Sequence, residues 1–162
     1  MTTDGPANTV RIFKALGLAV VIAAPLEGLR QMAYYDPGGV LTACYGDTND
    51  VKKGQRFTMS DCHGRLSIRM LEAIDVVERC VPGLPEHQLA AWADAVYNLG
   101  PVIVCDPKRS TAARLHEQHE HLLACNELPK WDKARVGGVL VSLPGLTKRR
   151  ELEKQLCLSG TM

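Results

Sequence analysis

Two carboxylates and a hydroxyl stand close together in the stretch EGLRQMAYYDPGGVLTACYGD, residues 27–47. Glu27 precedes a tight turn, Asp36 sits at it, and Thr42 lies on the extended run that follows. Two acids and a hydroxyl on different local elements suit general acid and base chemistry about a shared cleft, where one group gives a proton and another takes one. The positioning elements can be read from local sequence. Glu27 reads as a helix end. Asp36-Pro37-Gly38-Gly39 joins a proline-fixed φ to two residues free to take positive φ, a strong turn signal. Beyond it Val40, Thr42 and Cys44 share one face of a short strand, Leu41, Ala43 and Tyr45 share the other, and Gly46 ends the run.

The whole chain must supply the frame for that segment. Its 162 residues fit one compact domain. Apolar residues at 46% and charged residues at 23% are ordinary for a soluble globular protein. A net charge of +1 gives no support for a nucleic-acid partner, which would usually face a basic stripe. Cys44, Cys62, Cys80, Cys105, Cys125 and Cys157 form an even set without CxxC spacing, so a zinc ribbon or redox motif is not indicated. Even count and wide spacing favour disulfides formed outside the cytoplasm. Six cysteines allow 15 pairings, and spacing chooses none of them.

Along the chain, Met1–Thr9 is short and polar and reads as a disordered tail. Val10–Leu26 is weakly hydrophobic. Its uncharged part, Ala15–Leu26, would span about 18 Å as helix against about 30 Å of hydrocarbon. Three readings are open for residues 10–26: a core helix, a signal-like segment, or a weak membrane anchor with Arg11 and Lys14 snorkelling. Asp47–Phe57 is turn-like, with room for a second strand. Thr58-x-x-Asp61 opens a helix through a variant capping box, and Cys62, Leu66, Met70, Ile74 and Val77 form its core stripe. Pro85 and Gly100 bracket a helix near Glu86–Leu99 with Leu89, Trp92, Ala93, Val96 and Tyr97 on its apolar face. Ser110 is a sensible N-cap. The run His116–His121 lacks zincin spacing and reads as a solvated charged face, so neither metal nor cofactor is expected. Val136 to Gly145 is a glycine-bearing connection expected near the cleft. Leu146–Leu156 is a final helix of mixed charge, with Arg149 or Arg150 a lesser candidate to buttress the acids.

The spacing Glu27-x8-Asp36-x5-Thr42, within EGLR and AYYDPGGVLTACYG, resembles phage-type lysozymes, the endolysins of glycoside hydrolase family 24. Asn98-Leu99-Gly100 and PGLTKRRELEKQLCL extend the resemblance from Leu26 to the C-terminus. It implies an α+β, lysozyme-like fold: a small antiparallel sheet lobe, placed near residues 40–57, beside a mostly helical lobe, with the cleft between them. It implies a monomeric muramidase acting on peptidoglycan, with Glu27 as acid and with Asp36 and Thr42 holding the attacking water. A carboxyl closing an apolar helix suits the proton donor, and one on a polar turn suits the ionised partner. Resemblance to the cysteine-rich branch suggests Cys44–Cys62, Cys80–Cys105 and Cys125–Cys157. It also suggests that residues 10–26 are a signal-arrest-release segment, exported uncleaved, before a catalytic domain at 27–162. Periplasmic action follows from that reading; residence in the host cytoplasm until holin-mediated release is the alternative. Two departures stand out. Pro101–Pro107 replaces the usual glycine-aromatic turn, and Asp47 stands where relatives carry a histidine, which would place an added carboxylate near Asp36. The rivals are a lytic transglycosylase, a non-catalytic wall-binding module, and a membrane-active chain working through residues 10–26.

Overall fold

The computed structural model describes residues 5–161. Its first helix, α1 (Pro6–Glu27), starts on a proline, whose missing N–H has no partner to lose in a first helical turn. Pro6–Thr9, expected in the tail, are therefore helical, and Met1–Asp4 lie outside the described residues. The helix runs without interruption into Glu27, and Gly28 at φ 70° ends it. At about 1.5 Å per residue it spans roughly 33 Å, longer than the uncharged stretch suggests. Among the described residues it is the one helix long and apolar enough to cross a membrane.

In this structure α1 packs on α2 (Met59–Cys80) and α3 (Glu86–Leu99). Ala15, Ala19 and Ala23 are completely buried; their four-residue spacing puts them in one stripe whose small side chains admit a neighbouring helix closely. Val10, Phe13 and Val21 remain 54%, 62% and 72% exposed, so one face suits a protein groove while apolar side chains on the opposite face are uncovered. Arg11 holds the N-terminal half in place, pairing with Glu78 at 2.6 Å and donating to the Leu84 carbonyl at 2.6 Å.

The structure adds a strand before the turn as well as after it. β1 (Arg30–Tyr35) pairs antiparallel with β2 (Leu41–Cys44). Its register is broken by a bulge: Arg30 faces Cys44 but Tyr34 faces Thr42. Four residues on β1 thus stand opposite two on β2. The second strand expected within residues 47–57 is reduced to two isolated bridges, Asp47 to Ala43 of β2 and Arg56 to Met32 of β1.

Helix α2 begins as its sequence dictates. Asp61 N–H donates to Thr58 Oγ1 at 3.0 Å and Thr58 N–H to Asp61 Oδ2 at 2.9 Å, and the stripe from Cys62 to Val77 is buried. Central helix α3 is buried on all sides from Gln88 to Val96, with Trp92 wholly inside the core. Around it follow α4 (Val102–Cys105), α5 (Thr111–Glu117), capped by Ser110, α6 (His121–Cys125) and α7 (Pro144–Leu158). Bridges Cys44–Cys62, Cys80–Cys105 and Cys125–Cys157 tie β2 to α2, α2 to α4 and α6 to α7, the pairing that the resemblance implies. The glycine-bearing connection is a hairpin, β3 (Lys133–Val136) and β4 (Val139–Ser142), turned by Gly137 and Gly138 at φ 57° and 84°. Both positive angles are those of a two-residue hairpin turn. The architecture is α+β, a mostly helical body with small antiparallel sheets, as expected, though the first sheet lies across residues 30–44.

The His116–His121 run is exposed from Glu117 to Glu120, as expected of a solvated face, but His116 itself is not part of that face. His116 is 5% exposed, lies edge-on to Trp92 at 4.8 Å between ring centres, and meets His121 Nδ1 to Nδ1 at 2.9 Å. Burial, and then the neighbouring His121, lower its pKa to about 4. Folding therefore favours neutral His116. That contribution is complete above the unfolded value near 6.5 and is lost as pH falls from there to about 4. The loss amounts to about 3 kcal/mol. Urea midpoints measured between pH 7 and pH 4 should show this loss, and His116→Gln should flatten the slope.

Candidate active site

Glu27 and Asp36 line one open cleft of about 600 Å³ together with Gly28, Leu29, Arg30, Tyr34, Tyr35 and Pro37. Glu27 reaches it from the end of α1, and Asp36 from the β1–β2 turn. That turn is tied at both ends of its backbone: Asp36 N–H donates to the Val40 carbonyl and Gly39 N–H to the Asp36 carbonyl, each at 2.9 Å. Val40 then links the other two candidates. Its N–H donates to Asp36 Oδ1 at 2.8 Å, and its carbonyl accepts from Thr42 Oγ1 at 2.9 Å. Thr42 itself is 3% exposed on β2 and is not among the residues lining the cleft. Sequence spacing thus brings Glu27 and Asp36 to one cavity and sets Thr42 behind Asp36, one backbone unit away.

Glu27 has an ion-pair partner that local sequence does not show. Arg149, on α7, donates from Nη1 to Glu27 Oε1, and from Nε and Nη2 to Asp94 of α3 at 3.0 and 2.7 Å. Three helices meet at this guanidinium. Burial opposes its charge, but the hydrogen bonds and charge of Asp94, reinforced by Glu27, outweigh that and raise its pKa. Beside it Arg150 and Glu153 are fully buried and paired at 2.7 Å. Burial, with a hydrogen bond to Asp94, pushes the Glu153 carboxyl well up. Since Asp94 is 0% exposed, Arg149→Met would strand a buried carboxylate and is expected to cost about 3–5 kcal/mol, read from urea unfolding.

A second cavity of about 290 Å³ adjoins Glu27, lined by Tyr45, Gly46, Asp47, Arg69, Tyr97 and Asn98. The Tyr97 hydroxyl donates to the Tyr45 carbonyl at 3.0 Å, joining α3 to the end of the β2 segment. None of the residues lining either cavity comes from the β3–β4 hairpin, so the connection expected near the cleft does not line it. Trp92, expected on the apolar face of its helix, belongs to the core.

These positions can be set against known proteins. The family model described as phage lysozyme matches residues 24–153. The chain belongs to the phage lysozyme family. A relative, the SAR-endolysin of Bacteriophage PS119, is 33% identical over 149 residues, which cover 88% of this chain and 85% of that protein. The fold aligns with the active form of P1 phage endolysin Lyz at TM-score 0.77 and 25% identity, over 95% of this chain and 94% of that one. Against the secreted inactive form of the same endolysin the TM-score is 0.55, at 22% identity over 92% and 96%. The arrangement of this phage lysozyme is therefore nearer in overall fold to the active form.

Two departures of this phage lysozyme from the resemblance now have structural content. The Pro101–Pro107 segment contains the short α4, whose Cys105 bridges to α2. Asp47 is 8% exposed and pairs with Arg65 at 2.5 Å and Arg69 at 3.8 Å, both on α2. The expected placement beside Asp36 is not what the fold gives: Asp47 is held by these arginines and lines the second cavity, whereas Asp36 lines the first. Arg149, one of the two arginines named in the sequence as a lesser candidate to buttress the acids, does pair with Glu27, whereas Asp94 gave no signal within an apolar helix.

Proposed function

We propose that this phage lysozyme is a muramidase. It hydrolyses the β-1,4 bond between N-acetylmuramic acid and N-acetylglucosamine in bacterial peptidoglycan, in the service of host cell lysis. The observation that carries this reading is the presence of Glu27 and Asp36 on one open cleft from two separate elements. Glu27 protonates the leaving oxygen. Asp36, on its exposed turn, takes a proton from the attacking water, and Thr42 holds that water against it by turning its hydroxyl from the Val40 carbonyl. Water attack opposite the leaving group inverts the anomeric centre.

The same reading takes residues 10–26 as a releasable anchor ahead of the catalytic domain at 27–162. Its uncovered Val10, Phe13 and Val21 suit lipid, and its alanine stripe suits the groove it occupies after release. α1 carries no cysteine, so release needs no thiol exchange from this helix, and refolding alone completes the site. The protein would act as a monomer in the periplasm, tethered to the inner membrane before release.

Purified protein incubated with sacculi, followed by mass spectrometry of the released ends, tests the reaction. Reducing N-acetylmuramic acid ends are expected, and proton NMR of the fresh product should show the α anomer. Anhydro-sugar ends would make the protein a transglycosylase, and absence of release would leave a wall-binding module.

A further inference from the structure

We infer that Arg30 is a specificity-determining residue that binds a carboxylate of the peptide attached to muramic acid; the inference rests on the muramidase reading above. Arg30 and Arg69 line the cavities beside Glu27, Arg149 and Arg65 pair with acids that line them, and three of these four arginines are committed. Arg149 is held by Glu27 and Asp94, Arg65 by Asp47, and Arg69 by Asp47 and Glu72. Among the described residues no carboxylate pairs with Arg30. Its partner is the ring of Tyr34, over which the guanidinium carbon sits 4.4 Å from the centroid. Stacking uses the guanidinium face and leaves its in-plane N–H donors for a carboxylate. It also restricts the side chain before any ligand arrives, which lowers the ordering cost of binding.

Charge in the cleft gives the reason for such a cation. Glu27 and Asp36 line the same cavity as Arg30 and Tyr34, and peptidoglycan is itself anionic through its peptide carboxylates. The Asp36 carboxylate would repel that substrate, and an exposed guanidinium without a carboxylate partner on the same wall offsets the repulsion. A neutral chitin-like polymer has no group for Arg30 to bind, so the residue discriminates between the two polymers. The β1 bulge supports this placement, because it lies between Arg30 and Tyr34 in the pairing with β2 and sets how the two meet.

The test compares native sacculi with sacculi whose peptide carboxylates have been converted to amides by carbodiimide and ammonia. Wild-type kcat/KM is expected to fall about tenfold on the amidated wall, mainly through KM, as for loss of a charge-assisted hydrogen bond. Arg30→Gln should show the same loss on native sacculi and no further loss on amidated ones, whereas Arg30→Lys should recover part of the native preference. Equal losses for Arg30→Gln on both walls, or a wild type indifferent to amidation, would overturn the assignment. A wild type inactive on both walls would instead refute the muramidase reading, and unchanged circular dichroism and melting confirm that each variant is folded.

Discussion

Glu27→Gln is expected to lower kcat on peptidoglycan by about 10²–10⁴-fold, the range a general acid contributes, with KM nearly unchanged. An amide fills the same space and still accepts a hydrogen bond from Arg149, but it has no proton to deliver to the leaving oxygen. The scaffold should survive, because Arg149 keeps both contacts with Asp94. Tyr97 supplies an independent check that the substitution acts where intended. Burial first, and then the Glu27 charge, push its phenol up to about 12. Removing that charge should therefore bring the ultraviolet titration of Tyr97 down toward its ordinary value near 10. A variant that keeps wild-type turnover while showing the Tyr97 shift would remove Glu27 from the role of acid.

The residues that chemistry needs and the residues that hold them differ in how visible they are. Glu27, Asp36 and Thr42 lie within one short segment, and a proline–glycine turn fixes how it bends. Local signals also sufficed for α2, whose capping box is four residues long, and for α3, bracketed by Pro85 and Gly100. Partnerships across the chain left a fainter trace, enough to name Arg149 or Arg150 as a lesser candidate beside the acids but not to choose between them or to find Asp94. Arg149 and Glu27 are 122 positions apart, and a buried arginine on a charged helix looks in sequence like an exposed one. His116 misleads in the same way: its neighbours are polar, yet Trp92 of another helix covers it. β1 left no signal because RQMAYY places its polar and apolar residues in pairs and not in alternation. The disulfide pairing came from resemblance alone, since separations of 18, 25 and 32 residues satisfy no rule that selects them.

Reducing those three bridges is expected to unfold the protein at 37 °C and abolish wall hydrolysis. Loop-closure entropy assigns each bridge about 3–4 kcal/mol at these separations, together on the order of 10 kcal/mol. A domain of this size has a net stability of about 5–15 kcal/mol, so the crosslinks account for much of the margin. Their placement strengthens the case. Cys44–Cys62 fixes the strand that carries Thr42 to α2, and Cys125–Cys157 fixes α6 to the helix that carries Arg149. Both ends of each of these two bridges are at most 1% exposed, so a reductant acts only through opened states. Mild urea should therefore accelerate reduction far more than it lowers activity of the oxidised protein. The measurement is the urea midpoint and the rate of sacculus clearing, before and after reduction and alkylation. Loss of both would mean that a chain synthesised in a reducing compartment stays incompetent until it meets an oxidising one, which couples folding of the cleft to export. A reduced protein with the oxidised midpoint and rate would refute that coupling.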